Sequence, residues 1–213
     1  IRDSNECFTR WCLPQRIKID NGLPFANPKI RDIPTLSQLW WIGLGIEVQL
    51  NAPRCPQQNG TVENLQGTCK RWSAAKLYDQ VEDYQVRIDE TLRIQAETFR
   101  IRSKGDKTRK ELYPELWQNK RAFNPNDFKI ARVLDHLADR VWNRSVNKGG
   151  KVRFWGQSTY LGKQFTHLPL TITLDPEKNK WHFRTEKGHL LISIDNECFS
   201  EADILKHAGI SKN

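Results

Sequence analysis

The hydrophobic pattern changes its period along the chain. Glu6 to Leu13 reads as the end of a helix, with Pro14 stopping it. Arg16 to Asp20 then alternates and runs into Asn21-Gly22, which predicts a short strand delivering Asp20 into a turn. A loop rich in Pro and Asn continues to Pro34. From Thr35, Leu36, Leu39, Trp40 and Gly43 fall at helical spacing. Gly43 and Gly45 close that helix, and Ile46 to Leu50 alternates as a second strand. Pro53 to Gly60 is a loop. Residues 61–103 form a long helical region, and its length implies two helices with a break near Asp79.

The second half has another character. Gly105 to Asn126 is polar and basic, carries Pro114 and Pro125, and reads as a linker. Short β-like runs follow at Arg140–Asn147, Lys151–Leu161, Leu168–Leu174, Lys180–Arg184 and His189–Ile194. Their spacing, with Gly- and Pro-bearing turns between, predicts a small barrel or sandwich. Glu201 to Lys206 is expected to form a brief helix. The expected organisation is a core over 1–104, a basic connector over 105–137, a β domain over 138–196 and a tail over 197–213.

Composition narrows the classes. The chain has 213 residues, enough for one or two domains, with 38% hydrophobic and 28% charged residues, which argues against disorder. No apolar run approaches the roughly 20 residues that cross a bilayer, and the charged residues 1–10 do not read as a signal peptide; with reduced thiols, a cytoplasmic protein is expected. There is no Met, so the true start is expected upstream. The net charge of +9 favours a polyanionic partner, nucleic acid ahead of anionic membrane, although a solvated basic surface accounts for it equally well. The charge is uneven: residues 1–63 carry a net +1, residues 64–122 a net +4 and residues 139–189 a net +6. The 5 cysteines form no C-x-x-C pair, and reduced thiols are the simplest account. The histidines show no ligand spacing.

Two acids stand out by their context. Asp20 closes a strand and enters Asn21-Gly22-Leu23-Pro24-Phe25. Glu63 opens a helix after Pro56-Gln57-Gln58-Asn59-Gly60-Thr61-Val62, and 42 residues lie between the two acids. These elements, with the Leu44-Gly45-Ile46 strand start between them, resemble the DDE transposase and retroviral integrase superfamily, bacterial insertion-sequence type. The resemblance implies the C-terminal part of an α/β ribonuclease H-like catalytic core, a helical connector, and a small all-β barrel of the SH3-like or Mu type. It implies that Asp20 and Glu63 are the second and third catalytic, metal-binding acids. Only 19 residues precede Asp20, so the first acid is expected to lie outside the chain, which by itself would then be inactive. In the intact protein a two-metal site of Mg²⁺, or Mn²⁺, would serve phosphodiester chemistry, because hard cations prefer carboxylate oxygens. The residues also have plain structural readings: Asp20 as a turn former and Glu63 as an acid at a helix N-terminus.

The resemblance extends to the DNA contacts. Lys70 lies seven residues after Glu63 on the same helix face, which implies a phosphate contact, with Arg71 beside it. Gln57 and Asn59 would belong to the active-site loop, or cap the helix. Arg100, Arg102, Lys104, Lys107, Arg109 and Lys110 form a basic run opposed only by Asp106; it suits backbone contact or a solvated linker. In the β-rich segment, Lys148, Lys151, Arg153 and Lys163 are the phosphate candidates. Trp142, Trp155 and Trp181 are either stacking platforms or barrel core. The implied activity is cleavage of element ends and their joining to target DNA by a homo-oligomer in a bacterial, nucleoid-associated setting. The alternatives are a non-catalytic DNA-binding remnant or regulatory transposase product, and a nuclease that hydrolyses without joining.

Overall fold

The computed structural model describes residues 2–22, 25–26, 32–52, 55, 60–74, 78–118 and 121–210. In chain order the elements are α1 (Arg2–Trp11), β1 (Arg16–Ile19), α2 (Leu36–Gly43), β2 (Glu47–Leu50), α3 (Gly60–Ser73), α4 (Val81–Glu97), α5 (Arg109–Leu112), α6 (Glu115–Gln118), α7 (Ile130–Ala138), β3 (Trp142–Ser145), β4 (Lys151–Phe154), β5 (Gln157–Tyr160), β6 (Pro169–Asp175), β7 (Lys180–Thr185), β8 (Leu190–Asp195) and α8 (Glu201–His207). They form two compact units. One joins residues 1–50 to residues 122–213, and the other spans residues 51–121.

The first unit is organised around α2. Thr35 starts this helix by accepting the Gln38 N–H on its hydroxyl at 3.3 Å. Leu39, Trp40, Trp41 and Ile42 follow without a polar break, and all four are buried. Ser37 and Gln38 are buried with them and hydrogen-bonded, so the helix from Ser37 onward lies in the interior. It is also the crossover that a parallel strand pair requires. β1 and β2 pair in parallel, from Arg16 opposite Glu47 to Ile19 opposite Leu50.

Three further segments close on α2. Asn5 of α1 accepts the Trp40 Nε1–H at 3.0 Å and donates to the Ala208 carbonyl at 2.8 Å, tying α1, α2 and the end of α8 together. The Trp40 ring stacks on Phe128 with centroids 5.2 Å apart and 19° between planes. The missing side chain at Gly43 makes this possible, because a Cβ there would lie 2.0 Å from Phe128 Cε2. The Gly43 carbonyl accepts from the Lys129 N–H at 3.0 Å and from Arg132 Nη1 at 2.9 Å.

The connector expected over 105–137 is therefore divided. α5 and α6 belong to the second unit, whereas α7 belongs to the first. Val133 and Leu137 are fully buried, and Ile130 and Leu134 pack against the same core. That stripe repeats at i, i+3, i+4 and i+7, a helical signal that the charged surroundings of α7 obscure. The β-rich stretch shares this unit as well: Trp142 Nε1 donates to the Asp32 carbonyl at 2.8 Å, and Arg144 pairs with the Asp32 carboxylate at 2.8 Å. The compact units thus do not follow the bounds read at 104/105 and 137/138, because the buried apolar faces on either side of residues 51–121 cover each other.

Strands β3, β6, β7 and β8 form an antiparallel sheet in that spatial order, and β4 and β5 form a separate hairpin. Alternation along β6 buries Leu170, Ile172 and Leu174, and along β7 it buries Trp181 and Phe183. The hairpin contributes Val152 and Phe154 to the same interior. Its turn is Trp155-Gly156, with φ of +50° and +80°. Positive φ at both positions is the type I′ arrangement, which favours Asn-Gly. A tryptophan is held there by its neighbours: its ring lies 5.6 Å from Trp181 and 5.3 Å from Phe199. Packing outweighs the local preference, since losing a buried aromatic costs about 3–5 kcal/mol against about 1–3 kcal/mol for a strained backbone. The single run expected at 151–161 is in fact two strands for this reason.

In the second unit, α3 packs on α4. The Ser73 hydroxyl donates to the Cys69 carbonyl at 2.6 Å and accepts from the Tyr84 hydroxyl at 3.2 Å, and Trp72 meets Phe99 edge-on at 5.9 Å.

Replacing Gly43 by Ala should destabilise the chain by about 1–3 kcal/mol, the usual range for overpacking. Phe128→Leu, itself destabilising, should cost less in the Gly43→Ala background than alone, because the two sites share one space. Urea unfolding followed by tryptophan fluorescence measures both effects.

Candidate functional site

Asp20 follows the last residue of β1, at the carboxyl end of the parallel pair. Its side chain is exposed, and Oδ1 accepts the Gly22 N–H at 3.1 Å. The turn geometry read from Asp20-Asn21-Gly22 is thus realised. Glu63 lies in the first turn of α3, exposed. Negative charge is favoured there by the helix dipole. Asp20 and Glu63 stand on different compact units. Both supply the hard oxygen donors that Mg²⁺ or Mn²⁺ prefers. Among the described residues, no three His, Cys, Asp or Glu side chains come together to hold a metal.

Lys70 and Arg71 are exposed near the end of α3. Lys70 lies two turns beyond Glu63 on the same side, about 10 Å along the axis. Arg71 Nη2 donates to Thr68 Oγ1 at 3.3 Å. Gln57 and Asn59 lie outside the described residues.

The basic run is folded, and the fold sorts its cations. A loop leaves α4 and returns on itself: the Ile101 N–H donates to the Lys107 carbonyl at 2.9 Å, and the Asp106 N–H to the Ile101 carbonyl at 3.1 Å. Gly105 and Asp106, at φ of +73° and +57°, make the reversal. Thr108 caps α5 in a reciprocal box: its N–H donates to Glu111 Oε2 at 2.7 Å, and its hydroxyl accepts the Glu111 N–H at 3.2 Å. Arg109 is pinned to the carbonyl and Oε1 of Gln95 at 2.8 and 2.9 Å. Lys110 pairs with Glu97 at 2.9 Å. Arg100 donates to the Asp106 carbonyl at 2.7 Å and lies 3.9 Å from Glu111. Arg109 and Lys110 thus serve the fold, whereas Arg102, Lys104 and Lys107 point into solvent.

The remaining candidates gather on the hairpin. Lys151 and Arg153 alternate with buried Val152 and Phe154, so both project from the outer face. Lys148 is exposed in the preceding turn, and Lys163 in the helical turn that follows. Gly150 makes this corner tight: its φ is +73°, and a Cβ would lie 2.6 Å from the Gly162 carbonyl carbon. Trp142 and Trp181 are 2% and 0% exposed, so neither offers a ring to a ligand. Trp155 is half-buried in the same cluster.

Burial sets the state of several groups nearby. The Cys198 thiol is pushed up to about 11 by burial, against a weaker opposing bond with Trp181, and stays protonated and unreactive at neutral pH. Burial lowers the pKa of His136, favouring the neutral ring, and the Arg140 charge lowers it further. Glu111 is held below the usual carboxylate range, first by the Thr108 N–H and then by its hydroxyl. The box therefore stabilises the loop above the ordinary Glu pKa and is lost as pH falls through the lowered value.

Thr108→Ala should loosen the 101–112 loop by about 1 kcal/mol, a typical loss for an N-cap. Trypsin cleavage at Arg102, Lys104 and Lys107 should speed up at neutral pH. In the parent chain the loop should loosen on acidification below the usual carboxylate range, which amide exchange corrected for its intrinsic pH dependence will register.

Among the described residues, no helix is long and apolar enough to cross a membrane. No family model matches the chain, and no curated protein matches it.

Proposed function

We propose that the chain is the DNA-handling part of a DDE-type strand-transfer enzyme. One observation carries this reading. A carboxylate, Asp20, stands at the carboxyl end of β1, which pairs in parallel with β2 across the helical crossover α2; the next helix, α3, carries Glu63 in its first turn. The order strand–Asp, helix, strand, helix–Glu is what the sequence motifs around these acids lead one to look for. Parallel strands bring their carboxyl ends to one edge, the usual place for a reactive site in an open α/β sheet.

In this reading Asp20 and Glu63 are metal-ligating carboxylates of the intact enzyme, which would hold divalent cations. Such a cation, when bound, stabilises charge on the attacking and leaving oxygens of a phosphodiester. The chain's other residues keep the DNA in register. Lys70 and Arg71 take phosphates beside Glu63, Arg102 and Lys107 extend the track, and Lys148, Lys151 and Arg153 form a second one. Each neutralised phosphate makes binding salt-dependent, with a slope of about −0.9 per contact on duplex DNA. The substrates are element ends and target DNA, handled by a homo-oligomer.

The second reading is a DNA-binding protein without catalysis. A Mn²⁺ titration read by NMR separates the two. If the acids are metal ligands, millimolar Mn²⁺ will broaden the amide signals of residues 20–22 and of residues 60–64, and Asp20→Asn and Glu63→Gln will each abolish the effect at its own position. Broadening at neither position favours the non-catalytic reading. In either case Asp20→Asn and Glu63→Gln should leave duplex affinity within about twofold, since neither acid neutralises a phosphate.

A further inference from the structure

The hairpin face carries an aromatic ring that the phosphate-contact reading leaves unused. Tyr160 ends β5, pairs directly with Lys151 of β4, and is 59% exposed. Arg153 pairs with Ser158 in the same register. Cross-strand partners share a face, so Lys151, Arg153, Ser158 and Tyr160 form one outward patch. The opposite face holds Val152 and Phe154, at 0% and 5% exposure, so the patch rests on a rigid floor. Between Val146 and Leu168 the sequence contains Lys148, Lys151, Arg153 and Lys163 and no Asp or Glu. None of these four cations has an acidic partner among the described residues. An exposed tyrosine ring with a cation directly across the strands, in a segment free of acids, is an arrangement for a planar group on a polyanion.

We infer that this face binds single-stranded DNA, with a base stacked on Tyr160 and flanking phosphates held by Lys151 and Arg153. Single strands are favoured over duplex by geometry. Within a duplex both faces of every internal base are covered by stacking, so an exposed ring can reach only an unpaired or terminal base. Cations alone do not discriminate in this way. The inference rests on the DNA-handling reading and deepens it: the hairpin would hold a strand that has left its duplex.

The test uses fluorescence anisotropy with the full chain, a labelled oligonucleotide of mixed sequence, and its blunt duplex. Tyr160→Ala should weaken single-strand binding by about tenfold, within the usual range for one stacked base. It should change duplex binding by less than about twofold, and Tyr160→Phe should restore the single-strand affinity. Lys151→Ala with Arg153→Ala should weaken both and reduce the single-strand salt slope by about 1.4, two contacts' worth. Circular dichroism should be unchanged throughout, since all three side chains are exposed. Equal loss on both DNAs, or no loss on either, in the Tyr160→Ala variant overturns the inference while leaving DNA handling in place. Failure of the parent chain to bind either DNA overturns both.

Discussion

The first unit depends on a gap. Gly43 leaves the space that the Phe128 ring occupies, and Phe128 in turn stacks on Trp40. Two segments separated by the whole of residues 51–121 meet there. The meeting also satisfies backbone at the end of α2, whose Gly43 carbonyl accepts from Lys129 and Arg132. Helix ends leave carbonyls without intrahelical partners, and burial without a donor is costly. One missing methyl group therefore serves both steric fit and hydrogen bonding. The position of β1 and β2, and with it the position of Asp20, follows from α2 being fixed in this way.

The β-rich stretch is built on a second constraint, an aromatic interior. Trp142, Phe154 and Trp181 lie within 5.5 Å of one another by centroid, all edge to face. That geometry suits the ring quadrupole. The interior also explains a turn that local chemistry would not choose, because Trp155 accepts a positive φ in order to join the cluster. The same rigid floor turns Lys151, Arg153 and Tyr160 outward.

Much of this was legible in the chain. Period-2 alternation found the strands, and Thr35 with Gly43 bounded α2. The break near Asp79 falls between α3 and α4, which end and begin at Ser73 and Val81. What was not legible depends on distance in sequence. Nothing local says that Phe128 fills the gap at Gly43, so α7 passed for part of a linker. Nothing local says that Trp155 is a turn residue, since Trp is a poor candidate for positive φ. The acids illustrate the same limit from the other side. Their motifs single out Asp20 and Glu63, but a metal centre is a property of several chains of atoms in space, and spacing along one chain does not supply it.

Charge makes the distinction sharper. The basic run over 100–110 looks uniform in sequence, yet Arg109 and Lys110 are spent on Gln95 and Glu97, inside the fold's own bonding. The exposed Lys110–Glu97 pair contributes little stability, but it lowers the charge available to a partner. On the hairpin no acid competes, so each cation keeps its field. A polyanion sampling the surface would find fewer uncompensated charges on the loop than composition suggests, and more on the hairpin. Where a basic protein holds its partner is decided by which cations the fold has left unpaired, and here those cations stand beside the one exposed ring of the β4–β5 pair.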